Sequence, residues 1–236
     1  MSKAFTFYAC SSKNNFGDMI TPYILKKLGY ESELNWHTGV ILDGSVLGVA
    51  DIEHHIFGAG FMDVTDSCKS NHIHYVRGRL SRHLLMLMGR NIDGVGIHIP
   101  AFCLAEFIKD KNPVLETGIA HHYVDYSGKG INVCNDVEVV VNEILDYKNI
   151  ITSSLHAYIV ARMYGRGACL VRTTNPISGD GTKYIDAMSC FGEYPQMKII
   201  TDVDGIKQEV ERTYNKPIKF DNKQFILDLN EYLQTI

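Results

Sequence analysis

Short runs of apolar, β-branched and aromatic residues alternate with segments of helical periodicity along most of the chain. The runs that predict strands cover residues 4–10, 46–50, 55–57, 72–76, 95–99, 114–119, 149–152, 168–171 and 198–201. The segments that predict helices cover residues 18–29, 80–88, 101–108, 137–145, 157–164 and 203–214. Strands that alternate with helices are typical of βαβ units around a parallel sheet. The pattern therefore predicts an α/β fold.

The alternation is interrupted at Asp110-Lys-Asn-Pro113, a polar stretch with a proline, and restarts after it. We therefore predict two Rossmann-like domains that face a cleft, over residues 1–112 and 113–236. Ligands of such sheets bind beyond the carboxyl ends of the strands. The loops that lead from strands into helices are thus the places to look for a site.

The last segment of the chain has the pattern of a single helix. Asp221 is suited to cap its N-terminus, and Phe225, Leu229 and Leu233 recur at a spacing of four residues. Residues at this spacing share one face of a helix. We expect this apolar face to pack back on the body of the protein.

Composition narrows the range of partners. The 236 residues include 23 Lys and Arg against 27 Asp and Glu, a formal net charge of −4, which disfavours nucleic-acid binding through phosphate neutralisation. Six scattered cysteines without a paired motif are typical of a reducing compartment. We see neither a secretion signal nor an apolar run of the roughly 18 residues that span a membrane. These features predict a cytoplasmic protein.

Ten histidines raise the question of a metal site. The clustered ones are His54, His55, His72, His74, His121 and His122. In a strand, His72 and His74 would point to the same face, as two zinc ligands do. However, the chain has no HExxH motif and no paired cysteines, and carboxylates do not gather near these positions. We therefore interpret the clusters as polar strand ends and predict no metal.

Two loops of the first half could approach a small anion closely. Asn15 and Asp18 lie between a strand and a helix, where free backbone N–H groups and the helix dipole favour an anion. The alternative is that Asp18 serves only as the N-cap of the predicted helix. Gly58 and Gly60 follow another strand, and their lack of a side chain permits close approach to a ligand. Glycines at such positions are also common turn formers.

Arg77, Arg79 and Arg82 gather at the next turn from strand to helix. The planar guanidinium group is well suited to forked recognition of phosphate or carboxylate. An arginine at a helix N-terminus opposes the helix dipole, so a bound anion would compensate it. The alternative is a solvated helix start.

The sharpest local feature is Ser153-Ser154-Leu-His156, which follows a buried-looking strand and opens a helix. A histidine there would lie at the carboxyl edge of the sheet, where the helix dipole favours its neutral, base-competent form. Helix capping explains Ser154 but not the histidine. We therefore predict a functional role for His156.

The chain resembles the polysaccharide pyruvyl transferases, which move a pyruvyl unit from phosphoenolpyruvate to sugar hydroxyls. The resemblance rests on segments in the family's order that cover most of the chain. They are NFGDMITPYILKKLG (15–29), IFGAGFM (56–62), VRGRLSRHLL (76–85), GIAHHYVD (118–125), ITSSLHAYIVARMYG (151–165) and TKYIDAMSCFG (182–192). It implies a two-domain fold similar to GT-B glycosyltransferases, with His156 as the catalytic histidine.

The resemblance also implies a donor site for phosphoenolpyruvate and a separate site for a glycan acceptor, with no cofactor and no metal. Several relatives carry a phosphate-binding arginine where this chain has Ser154. Anion binding must then come from elsewhere, and the candidates are Arg77, Arg172 and Lys183. In this scheme His156 is the general acid and base, while Asn15 and Asp18 face the acceptor or the donor loop.

The chain departs from the family pattern at Ile97 and His98, which replace Asp-Pro, and at His121, which replaces proline. Two alternatives therefore stay open. One is a GT-B glycosyltransferase that uses a nucleotide sugar, although no carboxylate stands out for binding a ribose. The other is a catalytically inactive relative that binds glycans or anions.

Overall fold

The structure is a computed structural model. It describes residues 2–6, 15–125, 128–172, 179–192, 198–199, 218 and 220–235. The predicted helix over 203–214 lies outside these residues.

Two parallel sheets form the framework of the protein. The first has the strand order β2-β1-β3-β4-β5-β6 and the second has the order β10-β9-β8-β7. The first contains β1 (Ser2–Thr6), β2 (Tyr30–Leu34), β3 (Thr38–Ile41), β4 (Glu53–Phe57), β5 (His72–Val76) and β6 (Gly96–Ile97). The second contains β7 (Leu115–Ala120), β8 (Tyr147–Thr152), β9 (Gly167–Arg172) and β10 (Lys198–Ile199). The prediction of an α/β fold with parallel sheets is confirmed.

Seven helices accompany the sheets in the part of the chain that is described. They are α1 (Phe16–Lys27), α2 (Arg79–Leu87), α3 (Leu104–Phe107), α4 (Val137–Leu145), α5 (Leu155–Met163), α6 (Thr182–Ser189) and α7 (Asn222–Leu233). Two 3-10 turns cover Leu47–Val49 and Pro100–Cys103. The predicted packing of the apolar face of α7 is confirmed, because Phe225, Leu229 and Leu233 are buried.

Helix α1 begins at Phe16, before the predicted N-cap Asp18. Asn15, not Asp18, is its N-cap, because Asn15 Oδ1 accepts a hydrogen bond from Gly17 N at 3.0 Å. Asn15 Nδ2 also donates to Asp18 Oδ2 at 2.7 Å, which places Asp18 in the first turn. Pro22 lies inside the helix. The prediction that Asp18 caps the helix is therefore wrong.

The prediction of a strand over 46–50 is also wrong. This segment forms the 3-10 turn Leu47–Val49, and Leu47 N donates to Gly60 O at 3.1 Å. Its backbone passes so close to Asp66 that a Cβ at Gly48 would lie 2.7 Å from the Asp66 carboxyl carbon. The conformation of this segment is thus set by its contacts with neighbouring loops and not by its apolar composition.

The sequence pattern missed β2 and β3. Strand β2 lies at the edge of the first sheet, and its sequence YESEL carries Glu31 and Glu33, which the structure leaves largely exposed. An edge strand with charged residues gives only a weak hydrophobic signal. Strand β3 is four residues long and is buried at Gly39, Val40 and Ile41.

The main core is continuous between the two halves of the chain. Phe16 and Ile24 of α1, Val141 of α4 and Ile159 of α5 belong to one cluster of buried side chains. Burial of each such side chain stabilises the fold by roughly 1.5–3 kcal/mol. Backbone contact adds to this packing, because Phe16 N donates to Val133 O at 2.8 Å. No described helix is long and apolar enough to cross a bilayer.

Candidate active site

His156 and Asp43 form the centre of the candidate site. His156 is the second residue of α5, which follows β8, and Asp43 follows the carboxyl end of β3. Their Nε2 and Oδ1 atoms are 3.4 Å apart. The side chain of His156 is 16% exposed, whereas that of Asp43 is 1% exposed. A solvent-reachable imidazole backed by a buried carboxylate is an arrangement suited to proton transfer.

Asp43 is held as a carboxylate by its surroundings. Gly44 N donates to Oδ1 at 2.7 Å and Ala101 N donates to Oδ2 at 3.1 Å. Burial alone would raise the pKa of Asp43, but His156, the Gly44 N–H and the charge of Arg77 together hold it below its ordinary value. The carboxylate therefore stays charged and fixed in orientation beneath the imidazole.

The loop before α5 is fixed by its two serines. Ser154 is the N-cap, and its Oγ accepts from Ala157 N at 3.4 Å, while its own N–H donates to Thr152 Oγ1 at 2.9 Å. Ser153 Oγ accepts from His122 N at 2.9 Å and is buried. Both predicted binding residues thus use their hydroxyls to shape the loop that presents His156.

The N-termini of α1 and α5 meet at Gly17 and His156. A Cβ at Gly17 would clash with the His156 ring, and the Phe16 ring lies edge-on to it at 6.2 Å. The Asn15 and Asp18 side chains bond to each other and to the start of α1. The structure thus brings Asn15 and Asp18 into the neighbourhood of His156. Each of the two helix N-termini that converge there contributes a positive partial charge.

Lys183 is the lysine of the site, and it lies in the first turn of α6. Burial, and next the charge of Arg77, lower the pKa of Lys183 to about 8, against the opposing effect of Asp63. Burial, and next the charge of Lys183, lower the pKa of His122 to about 4, and His156 acts in the same direction. The charges of Lys183 and His156 thus both act on His122. At neutral pH the lysine is charged and His122 is neutral.

Arg77 lies beneath this region and is bonded to protein groups. Its Nε donates to Asp186 at 3.0 Å, Nη1 to Ser45 Oγ at 2.6 Å and Nη2 to the Phe61 carbonyl at 2.8 Å. Asp186 also accepts from Ser81 N and Ser81 Oγ. The side chain predicted to bind an anion directly is therefore bonded to helix α6 and to two loops, and its charge acts on Lys183 and Asp43.

The predicted glycines make their close approaches to protein atoms. A Cβ at Gly60 would clash with the Arg77 guanidinium, and one at Gly58 would clash with the Pro100 ring. Gly58 also has a φ of 123°, a left-handed conformation that favours glycine. Close packing against Arg77 and Pro100 therefore accounts for both glycines without a ligand.

Two further cations are predicted to bind an anion, Arg82 and Arg172. Arg82 Nη2 donates to the Ile92 carbonyl at 3.3 Å, which directs its guanidinium to the loop after α2. The side chain of Arg172 lies outside the described residues.

One departure from the family pattern has a structural explanation. His98 Nε2 lies 3.1 Å from Asn222 Oδ1, and its ring stacks on Phe225 at 4.1 Å. Burial lowers the pKa of His98 to about 4, so the ring is neutral. His98 therefore anchors α7. Of the other two departures, Ile97 is an exposed residue of β6. His121 is half-buried, and burial lowers its pKa.

The other histidine cluster is an aromatic stack. His55 stacks on His72 at 4.3 Å, on His74 at 5.4 Å and on Tyr232 at 4.4 Å. Burial, and next the nearby histidines, lower the pKa of His55 to about 4. Among the described residues, no group of three histidine, cysteine or carboxylate side chains is arranged to hold a metal ion.

Sequence reasoning missed Asp43 and Asp186. The signal for Asp43 was available, since Asp43-Gly44-Ser45 follows a short apolar run in the manner of the other site loops. It was overlooked because β3 itself was not predicted. Asp186 lies in α6, a helix that was not predicted, and its partners Arg77 and Ser81 are more than 100 residues away in sequence.

No protein-family model and no curated protein matches this chain. Among solved structures, the chain is similar to a functionally uncharacterised protein from Klebsiella pneumoniae subsp. pneumoniae. The two share 14% sequence identity with a TM-score of 0.49, over 85% of this chain and 94% of the other.

Proposed function

We propose that this protein transfers a pyruvyl group from phosphoenolpyruvate to the hydroxyls of a sugar or polysaccharide. The observation that carries the proposal is the pair of His156 and buried Asp43 at the meeting of two helix N-termini. The charges of Lys183 and His156 both act on His122. The motif resemblance described above names the reaction. The proposal includes a two-domain, GT-B-like arrangement around the site and a cytoplasmic location.

The donor makes two demands that these residues can meet. Phosphoenolpyruvate carries a phosphate and a carboxylate on a three-carbon frame, so its site needs concentrated positive potential. Lys183 supplies a charge, while the first turns of α1 and α5 supply helix dipoles. Arg77 adds long-range charge from below, as its effect on Lys183 indicates. A protein with a net charge of −4 can hold an anion in this way.

His156 then moves the protons. A proton is delivered to the methylene carbon, an acceptor hydroxyl attacks the adjacent carbon, and the phosphate leaves as a second hydroxyl closes the ketal. Of the two hydroxyl protons released, one ends on the new methyl group and the other on the departing phosphate. Asp43 orients the imidazole and stabilises its charged form, as the carboxylate partner of a catalytic histidine does. Asn15 and Asp18 face the acceptor or the donor loop.

Incubation with phosphoenolpyruvate and a mixed glycan panel tests this proposal. We expect phosphate release that depends on an acceptor, together with a mass gain on the glycan equal to pyruvic acid less water. His156→Asn should lower the rate by about 10²- to 10⁴-fold, and Asp43→Asn should have a comparable effect. His83→Gln, at an exposed histidine of α2, is the matched control and should retain full activity.

The competing functions give different outcomes. If the protein is a nucleotide-sugar transferase, binding of members of a nucleotide-sugar panel raises its melting temperature, whereas phosphoenolpyruvate does not. An inactive binding relative would bind phosphoenolpyruvate or glycan without phosphate release. Full activity in His156→Asn would refute the assignment of the catalytic histidine.

A further inference from the structure

Helix α7 follows the second sheet in the chain but packs on the first. Near its start, Phe225 stacks on His98 with ring planes 9° apart. Near its end, Tyr232 stacks on His55 of β4 at a centroid distance of 4.4 Å. The two ends of α7 therefore contact different parts of the same sheet, and each can be perturbed separately.

Asn222, the first residue of α7, is buried and uses its whole amide group. Its Nδ2 donates to the Phe102 carbonyl at 3.1 Å and to Glu106 Oε1 at 3.0 Å. Since both amide hydrogens face acceptors, Oδ1 faces His98 Nε2, 3.1 Å away. His98 is neutral and its Nε2 carries the hydrogen of this bond. Three hydrogen bonds thus connect one side chain to the 3-10 turn Pro100–Cys103 and the residues on either side of it.

The same 3-10 turn also binds Asp43. Ala101 N donates to Asp43 Oδ2 at 3.1 Å, and the next residue, Phe102, offers the carbonyl that Asn222 binds. The turn therefore accepts a hydrogen bond from α7 and donates one to Asp43. The opposite oxygen of Asp43 faces His156.

We propose that Asn222 is a positioning residue, which through the turn Pro100–Cys103 fixes the orientation of Asp43 against His156. Its catalytic consequence rests on the proposed function, but its structural consequence does not. Loss of the amide removes its hydrogen bonds to the Phe102 carbonyl, Glu106 and His98. The turn is then free to shift, and the Ala101 N–H shifts with it. Displacement by about 1 Å in a catalytic pair can cost about 10²-fold in rate.

The direct test is the imidazole 15N NMR spectrum of His156, which reports the contact of Nε2 with Asp43 without any substrate. Asp43→Asn defines the signal of the unpaired ring. We expect Asn222→Ala to move the His156 signal towards that position. Tyr232→Ala, which weakens the other end of α7, and Lys223→Ala, at an exposed neighbour of Asn222, should leave it unchanged.

If Asn222→Ala does not unfold cooperatively, Asn222→Asp replaces it, since this residue keeps the shape and an acceptor for His98 but loses the donor to Phe102. An unchanged His156 signal in the folded Asn222 variant would overturn the proposal. So would an equal change in Tyr232→Ala, because the effect would then reflect general loosening of α7.

Kinetics provide the second readout. We expect Asn222→Ala to lower kcat for pyruvyl transfer by about 10- to 100-fold with little change in KM for phosphoenolpyruvate. A rise in KM with unchanged kcat would contradict a positioning role. If the wild-type protein releases no phosphate from phosphoenolpyruvate, the proposed function fails, but the NMR comparison still decides whether Asn222 positions Asp43.

Discussion

Arg77 and Asp186 form an ion pair that is closed to solvent at both ends, although 109 residues separate them in sequence. Their Nε and Oδ2 atoms are 3.0 Å apart, and their side chains are 1% and 0% exposed. The pair joins the turn after β5 to α6, and α6 carries Lys183. It therefore connects the first sheet to a residue of the candidate site.

Removal of one partner of this pair should be severely destabilising. Asp186→Ala leaves the Arg77 charge buried without its partner, and we expect a loss of about 3–5 kcal/mol in the free energy of unfolding. Urea denaturation measures it. Arg79→Ala, at an exposed arginine two residues after Arg77, should change the free energy by less than about 0.5 kcal/mol. Equal losses in the two variants would show that the buried pair contributes nothing special.

Gly17→Ala should reduce activity while the protein stays folded. The new Cβ would occupy the space of the His156 ring, so the imidazole must move away from Asp43. We expect a fall of at least about tenfold in kcat. Gly29→Ala tests for a general effect of glycine replacement near α1, because a Cβ there meets no atom, though its φ of 92° makes the variant mildly strained. A fully active Gly17→Ala would contradict the described geometry.

Binding of phosphoenolpyruvate should weaken above about pH 8. Burial and the charge of Arg77 lower the pKa of Lys183 to about 8, so the lysine loses its charge as the pH rises through that value. Titration calorimetry should show an affinity that falls by at most about tenfold per pH unit above this point. Lys183→Met should bind more weakly and lack this dependence. An affinity that does not change between about pH 7 and 9 would remove Lys183 from the donor site.

Stability should fall on acidification between about pH 6.5 and pH 4. Burial lowers the pKa of His98 from 6.5 to about 4. Between these two values the His98 imidazole is protonated in the unfolded chain and neutral in the folded protein. The free energy of unfolding therefore rises with pH, and His98 accounts for at most about 1.4 kcal/mol per pH unit, or about 3 kcal/mol in total. Urea denaturation of His98→Phe across this range should show a shallower slope than the wild type.

The sequence predicted those parts of the fold that local pattern determines. Strand β5 and helix α4 were predicted with the bounds that the structure has, because alternation, apolar spacing and flanking turns agree there. The charged edge strand β2 was missed, since packing partners decide its conformation. Residues 46–50 show the opposite error, because an apolar run became a turn under contacts with Gly60 and Asp66.

The site divides in the same way. His156 stood out because a histidine after a capping serine has no simple structural explanation. The role of Arg77 was not readable, because its partner Asp186 is distant in sequence and only the fold shows that the guanidinium is buried. Asp43 was recoverable from its loop, but only once β3 is recognised as a strand.

The polar stretch at 110–113 separates the two halves of the chain, and contacts between the halves should hold them together when this stretch is cut. The loops around Asp63 and Asp180 are bonded to each other, through Asp180 N to Asp63 Oδ1 at 2.6 Å and Val64 N to Asp180 Oδ2 at 3.1 Å. Helix α7 returns to the first sheet, and the main core is continuous. A protease that nicks this stretch should therefore leave two fragments that co-migrate as a single native particle and separate only in denaturant.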